Sequence, residues 1–267
     1  MNQTPERPAP HASVPVFADL PGKTALVTGG SRGLGAATAL ALARSGVRVA
    51  VNGRDRTALA ASVGALREAG GEAEAFVADC SELSQVEALR DAVLTRFGAP
   101  DFVLAFAGGG SGRPMPVHEI DERDWRSSLD HNLTATFLVA KCFLPGMLAR
   151  GSGALLTMAS AGARVVAGAP AGYAAAKAGV IALTRQLAHE LGPHGLRANC
   201  LSPSAVLTER TRDHLSQERQ AQMLRAFPLG RLGEPADVAA ASLFLLSDAS
   251  AWITGQVLDV AGGRVML

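Results

Sequence analysis

The chain has 267 residues, 48% of them apolar and 18% charged, with 25 Lys plus Arg against 24 Asp plus Glu. That length and apolar share exclude a disordered polypeptide, and the balanced charge denies it the one-signed field that gathers nucleic acid or an anionic membrane surface. The longest stretch without a formal charge, Gly151 to Ala163, is thirteen residues, short of the roughly 20 that cross a bilayer as a helix, so no membrane span is expected.

In chain order, residues 1–20 carry Pro5, Pro8, Pro10 and Pro15, lack the basic-then-apolar order of a secretory leader, and read as a flexible Pro-rich tail. From residue 21 to 267, short apolar runs alternate with alanine-rich periodic segments. The predicted strands are Lys23–Thr28, Val47–Asn52, Glu72–Ala78, Asp101–Phe106, Gly153–Met158, Leu196–Leu201 and Gln256–Val260. The predicted helices are Leu34–Ser45, Arg56–Ala69, Leu83–Phe97, Glu122–Ala149, Tyr173–Leu191 and Ala236–Ser247. This alternation predicts one doubly wound Rossmann-type α/β domain, a seven-stranded and mostly parallel sheet with helices on both faces. Residues 204–230 break the pattern, being polar and poor in strand formers, and read as a substrate lid.

Cys80, Cys142 and Cys200 have no paired spacing, which argues against a zinc ribbon or a disulfide framework and for a cytoplasmic protein. The six histidines show no metal-ligand spacing, so no metal is expected. Trp125 and Trp252 read as packing anchors.

Two clusters carry chemistry. Directly after the first strand, Gly29, Ser31, Arg32, Gly33, Leu34 and Gly35 form a G-x-x-x-G-x-G turn that opens a helix. A strand, a tight turn and a helix N-terminus with unpaired N–H groups make a pyrophosphate cradle, and no Gly-Lys-Ser/Thr follows to make it an NTPase loop. Further on, Tyr173 and Lys177 stand four apart on a helix and so share a face, where a fixed ammonium favours the phenolate needed for proton transfer. Ser160 ends the fifth strand at the carboxyl edge, where open parallel sheets bind ligands. Taken singly, each has a plain structural reading: a packing turn, a surface Tyr–Lys pair, a turn serine.

Together with Asn132 in HNLTATF and the tail Asp248–Gln256 (DASAWITGQ), these motifs resemble the short-chain dehydrogenase/reductase superfamily over about Leu20 to Gly263. LTRQLAHEL at 183–191 and GRLGEP at 230–235 are most similar to its 3-oxoacyl-[acyl-carrier-protein] reductase-like members. The resemblance implies hydride transfer between a nicotinamide and a carbonyl or secondary alcohol. It implies Tyr173 as the proton donor or acceptor, Ser160 holding the substrate oxygen, Lys177 on the nicotinamide ribose, and Asn132 holding a water that links Lys177 to solvent. It further implies Asp79 at the adenine, Ala107 and Gly108 beside the cofactor, Val206 and Thr208 near the nicotinamide, and a homotetramer. Capping for Asp79 and a backbone-satisfied interior position for Asn132 are the plain alternatives.

The family's Asn-Asn-Ala-Gly stands here as Ala105–Gly108, a loss expected to loosen the central sheet or the ribose contact. Its Pro-Gly is Pro203-Ser204, expected to turn with modest strain, and its Asp-Gly-Gly is Ala261-Gly262-Gly263. No carboxylate stands at Gly53, the end of the second strand, while Arg54 and Arg32 offer guanidinium groups suited to a 2′-phosphate; Asp55 reads as the next helix's N-cap. NADP(H) is therefore the expected cofactor, with NAD(H) possible, and the expected reaction is reduction of a small or carrier-linked ketone. The rival readings are an NAD-dependent secondary-alcohol dehydrogenase and a catalytically silent dinucleotide sensor.

Overall fold

A computed structural model describes residues 16–110, 113–166, 168–212 and 217–266. Seven strands form one parallel sheet: β1 (Thr24–Val27), β2 (Arg48–Gly53), β3 (Ala73–Val77), β4 (Phe102–Ala105), β5 (Gly153–Met158), β6 (Leu196–Pro203) and β7 (Val257–Val260). Their order is β3-β2-β1-β4-β5-β6-β7, so the direction of winding reverses between β1 and β4. Such a reversal opens a crevice at the carboxyl ends of the strands, where α/β sheets take their ligands.

Both faces of the sheet are covered. On one face Val27, Val49 and Leu104 pack with α1 (Gly33–Arg44), α2 (Arg56–Glu68) and the later helix Pro235–Leu246 through Leu42, Leu59 and Leu243. On the other, Leu26, Val103 and Leu155 meet α3 (Leu83–Phe97) through Val86 and Val93, and two more helices described below through Val139, Phe143 and Leu187. Strands buried on both faces explain why β1 and β4 read as continuous apolar runs and not as alternating ones.

The predicted helix Glu122–Ala149 is interrupted. α4 (Glu122–Leu129), capped by the Asp121 carboxylate on Arg123 N, passes through a π-helical turn at Asp130–Thr134 into α5 (Ala135–Arg150). The whole, Glu122–Arg150, is long and apolar enough to cross a membrane by length and composition, a property that counting uncharged residues missed; half of its most apolar window is packed inside the fold. α6 (Ala171–Leu191) starts two residues earlier than expected.

The segment at 204–230 carries two short helices, α7 (Glu209–Arg212) and α8 (Gln217–Leu224), that the polar composition concealed; its residues 213–216 lie outside the described ones. α9 (Pro235–Leu246) follows, opened by Pro235 and a reciprocal Glu234–Asp237 capping box. Residues 1–15 of the expected tail lie outside the described residues. Its last part belongs to the body: Leu20 is fully buried, Phe17 packs on the same core, and Asp19 accepts a 2.9 Å bond from Asp248 N. Trp252 is fully exposed and is no packing anchor among the described residues.

Candidate active site

A cleft of about 980 Å³ lies at the carboxyl ends of β1, β2, β4, β5 and β6. Its floor is the turn between β1 and α1. A Cβ on Gly35 would stand 2.2 Å from the Gly29 carbonyl oxygen, and one on Gly29, at φ +64°, would stand 2.9 Å from the Phe106 oxygen; the turn closes only because both lack side chains. Arg32 occupies the N-cap of α1 without capping it, and the first turn holds no acidic residue. The N–H groups and the positive end of α1 are thus left to a ligand, as a pyrophosphate cradle requires.

Thr28 ties the turn to β4. Its hydroxyl donates to Leu104 O at 3.2 Å and accepts from Phe106 N and Ala107 N, each at 3.0 Å. Phe106 is buried in the core beneath, so a threonine hydroxyl and an apolar ring hold this strand end. No described non-glycine residue has positive φ, so Ser204 turns the chain without the expected strain.

Asn132 sits in the π turn, where its side chain donates to Ser128 O (2.9 Å) and Gly109 O (3.2 Å) and accepts from Gly109 N (3.0 Å). These bonds clamp the 108–110 loop, and Gly108, at φ +139°, leaves room for the Asn132 amide oxygen. The side chain is thus bonded to backbone on both sides, and Asn132 is not among the residues that line the cleft. All the other expected site residues do: Gly29, Ser31, Arg32, Gly33, Leu34, Gly35, Arg54, Asp79, Ala107, Gly108, Ser160, Tyr173, Lys177, Val206 and Thr208.

Ser160 follows β5, and its Oγ caps the short turn Ala161–Ala163 by accepting from Gly162 N at 3.2 Å. Lys177 is almost wholly buried; its ammonium donates to Met158 O at 2.8 Å and lies 5.7 Å from the centre of the Tyr173 ring. Burial pushes its pKa down to about 8, a displacement that a nearby Cys200 charge would oppose. The lysine is therefore fixed against the tyrosine and still carries its proton at neutral pH.

At the other end, each guanidinium has a carboxylate. Arg32 pairs with Asp55, which also caps α2 through Thr57 N and Ala58 N; the Ala58 bond is the largest of the effects lowering the Asp55 pKa. Arg54 lies 3.3 Å from Asp79, whose carboxylate also accepts from the Ser81 amide and hydroxyl. Burial raises the Asp79 pKa, and these bonds outweigh it and lower it on balance.

Residues that the sequence did not mark also line this end. Asn52 bonds Phe76 O and Ala78 O and accepts from the Cys80 thiol, whose pKa burial pushes up to about 12. His131 Nδ1 is 2.8 Å from Ser127 O, an oxygen that can only accept, so Nδ1 donates there. Asn52 had no spacing signal, since its partners lie 24 to 28 residues away in sequence; His131 bonds back to Ser127, four residues earlier.

A winding reversal, an uncapped helix over a glycine turn, and a Ser–Tyr–Lys set on one cleft define a dinucleotide-fold oxidoreductase. Residues 29–264 match the family model described as Enoyl-(Acyl carrier protein) reductase. The chain belongs to the short-chain dehydrogenase/reductase family, whose dehydrogenases and reductases act on CH–OH and C=O groups. It is 39% identical to D-threitol dehydrogenase from Mycolicibacterium smegmatis, covering 91% of this chain and 93% of that one. It superposes on a 3-oxoacyl-[acyl-carrier protein] reductase from Brucella melitensis with a TM-score of 0.89 at 31% identity, covering 94% of each chain. It also superposes on a 7α-hydroxysteroid dehydrogenase complexed with NADH and 7-oxo glycochenodeoxycholic acid, with a TM-score of 0.87 at 32% identity over 93% and 96% of the two chains.

Proposed function

We propose that the protein reduces a ketone, 3-oxoacyl or another small or carrier-linked carbonyl compound, with NADPH, and that Tyr173 is the general acid. The observation that carries this reading is Lys177, buried and fixed on Met158 O beneath Tyr173, on the same cleft as Ser160 and the glycine turn. The turn at Gly29–Gly35 and the open end of α1 would hold the pyrophosphate, Asp79 the adenine side, and Val206 and Thr208 the nicotinamide side. Bound there, the nicotinamide supplies the hydride.

The chain's own residues do the rest. The Ser160 hydroxyl donates to the substrate oxygen and fixes it. Tyr173 passes its phenolic proton to that oxygen as negative charge develops, and the Lys177 ammonium stabilises the phenolate left behind. In the oxidative direction the same groups run in reverse, with Tyr173 as base.

Arg54 and Arg32 support NADPH, since a 2′-phosphate would meet two guanidinium groups and no carboxylate at Gly53. A second reading, NAD-dependent oxidation of a secondary alcohol, is favoured by the engagement of both guanidiniums with Asp55 and Asp79, which offsets the charge a 2′-phosphate would feel. The NADH in the hydroxysteroid dehydrogenase complex also supports it. A homotetramer in the cytoplasm completes the proposal, supported by three buried free thiols and by Phe137 and Leu148 exposed on α5.

Absorbance of the reduced nicotinamide with a panel of 3-oxoacyl thioesters, cyclic ketones and ketoses tests the reading. Turnover with a higher kcat/KM for NADPH than for NADH is expected. Equal or reversed preference would promote the NAD-dependent reading, and coenzyme binding without turnover on any carbonyl or alcohol would leave a sensor.

A further inference from the structure

Behind the cleft, Arg164 and Asp259 form an ion pair with Nε and Oδ2 3.3 Å apart, and their side chains are only 14% and 13% exposed. No other ion pair among the described residues is so enclosed. Burial of two charges costs desolvation that their attraction only partly offsets, so the pair is a poor device for stability and a better one for fixing a geometry.

What it joins is specific. Arg164 closes the turn that Ser160 opens: Ala163 N donates to Ser160 O at 2.9 Å and Arg164 N to Ala161 O at 3.0 Å. Asp259 lies on β7 opposite Ser202 of β6, and its neighbour Val260 accepts from Ser204 N at 3.2 Å, where the 204–230 segment begins. Beside the pair, Ala161 and Val165 pack on Ala261 and Val265 in a separate small apolar cluster. Arg164 Nε meets Asp259 Oδ2 as a charge contact without hydrogen-bond alignment, and Asp259 Oδ1, Ser202 Oγ and Ser204 Oγ are buried with no hydrogen-bond partner among the described residues, so no side-chain hydrogen-bond network duplicates the work of the pair.

We propose that Arg164 and Asp259 are positioning residues. Their pairing fixes the turn bearing Ser160 against β7, sets where the Ser160 hydroxyl stands relative to Tyr173, and ties that distance to the root of the 204–230 segment. Neither residue lines the cleft, so both act through the backbone. The inference rests on the proposed role of Ser160.

The test compares the full-length protein with Asp259→Asn, Arg164→Lys and the double variant Arg164→Met with Asp259→Leu, an uncharged pair that restores packing. Amide hydrogen exchange, coenzyme Kd, kcat and Tm are measured. In Asp259→Asn, exchange is expected to rise in 160–166 and 257–265 but not in the glycine turn 28–35. Its kcat is expected to fall on the order of 10- to 100-fold, as misplacement of a substrate-holding group does, with coenzyme Kd unchanged. Arg164→Lys should keep most of the rate. The double variant should recover Tm but not kcat, and it answers the question even if Asp259→Asn does not fold. Wild-type kcat in the double variant, or exchange rising equally in the glycine turn, would overturn the proposal. A wild-type protein that binds coenzyme but turns over nothing would contradict the proposed function alone, and the exchange pattern would still decide whether the pair fixes this turn.

Discussion

At the scale of single residues, Lys177 shows function set against stability. Its pKa is pushed from 10.5 down to about 8 by burial, so the folded protein pays a penalty of roughly 3 kcal/mol to keep it charged. The sign follows from linkage: the penalty is fully present below about pH 8 and is relieved as pH rises toward 10.5, because there the unfolded chain binds the extra proton. Lys177→Met is therefore expected to hold or raise Tm at pH 7 while lowering kcat by about 10²- to 10⁴-fold, as measured by calorimetry and turnover. In the wild type, kcat/KM for reduction is expected to fall as pH rises through about 8, where the ammonium that favours the Tyr173 phenolate is lost. Tyr173 and Lys177 were legible because four residues on a helix place them on one face. The partners of the two arginines were not, since Asp55 reaches Arg32 and Asp79 reaches Arg54 only through space. Arg54→Ala is expected to lower the NADPH-to-NADH ratio of kcat/KM by about tenfold, the worth of one charged hydrogen bond, while NADH turnover stays near wild type.

At the scale of elements, periodicity found every strand and all the long helices, because each carries a buried face that the alternating pattern records. It missed the π turn at 130–134, since one extra residue in a helix leaves no mark on an apolar run already interrupted by Asn132 and Thr134. That turn places the Asn132 amide against Gly109. Asn132→Leu keeps the volume and removes the clamp, leaving the Gly109 N–H and C=O without their partner at a cost of about 1–3 kcal/mol. Tm is expected to fall by several degrees, at about 2–4 °C per kcal/mol for a chain of this size, and coenzyme Kd to rise. Unchanged values of both would mean that the 108–110 loop holds its own shape. The helices at 209–212 and 217–224 were hidden for a different reason: surface segments over a cleft need no continuous apolar stripe.

At the scale of the molecule, the two cores flank a sheet whose winding reversal puts the glycine turn and the Ser160–Tyr173–Lys177 set on one cleft. At the N-terminus, the tail expected over residues 1–20 ran on past the point at which packing starts. Leu20 is wholly enclosed in the first core, and Leu20→Ala is expected to cost about 2–5 kcal/mol in denaturant unfolding, as for other buried leucines. A cost below about 1 kcal/mol would place it with the tail.

The most direct measurement is turnover of Tyr173→Phe beside its coenzyme Kd. The substitution removes one hydroxyl and leaves the ring over which Lys177 sits. Loss of kcat by about 10²-fold or more with Kd within about twofold of wild type is expected, since only the transferable proton is gone. Retention of more than about a tenth of wild-type kcat would contradict Tyr173 as the general acid.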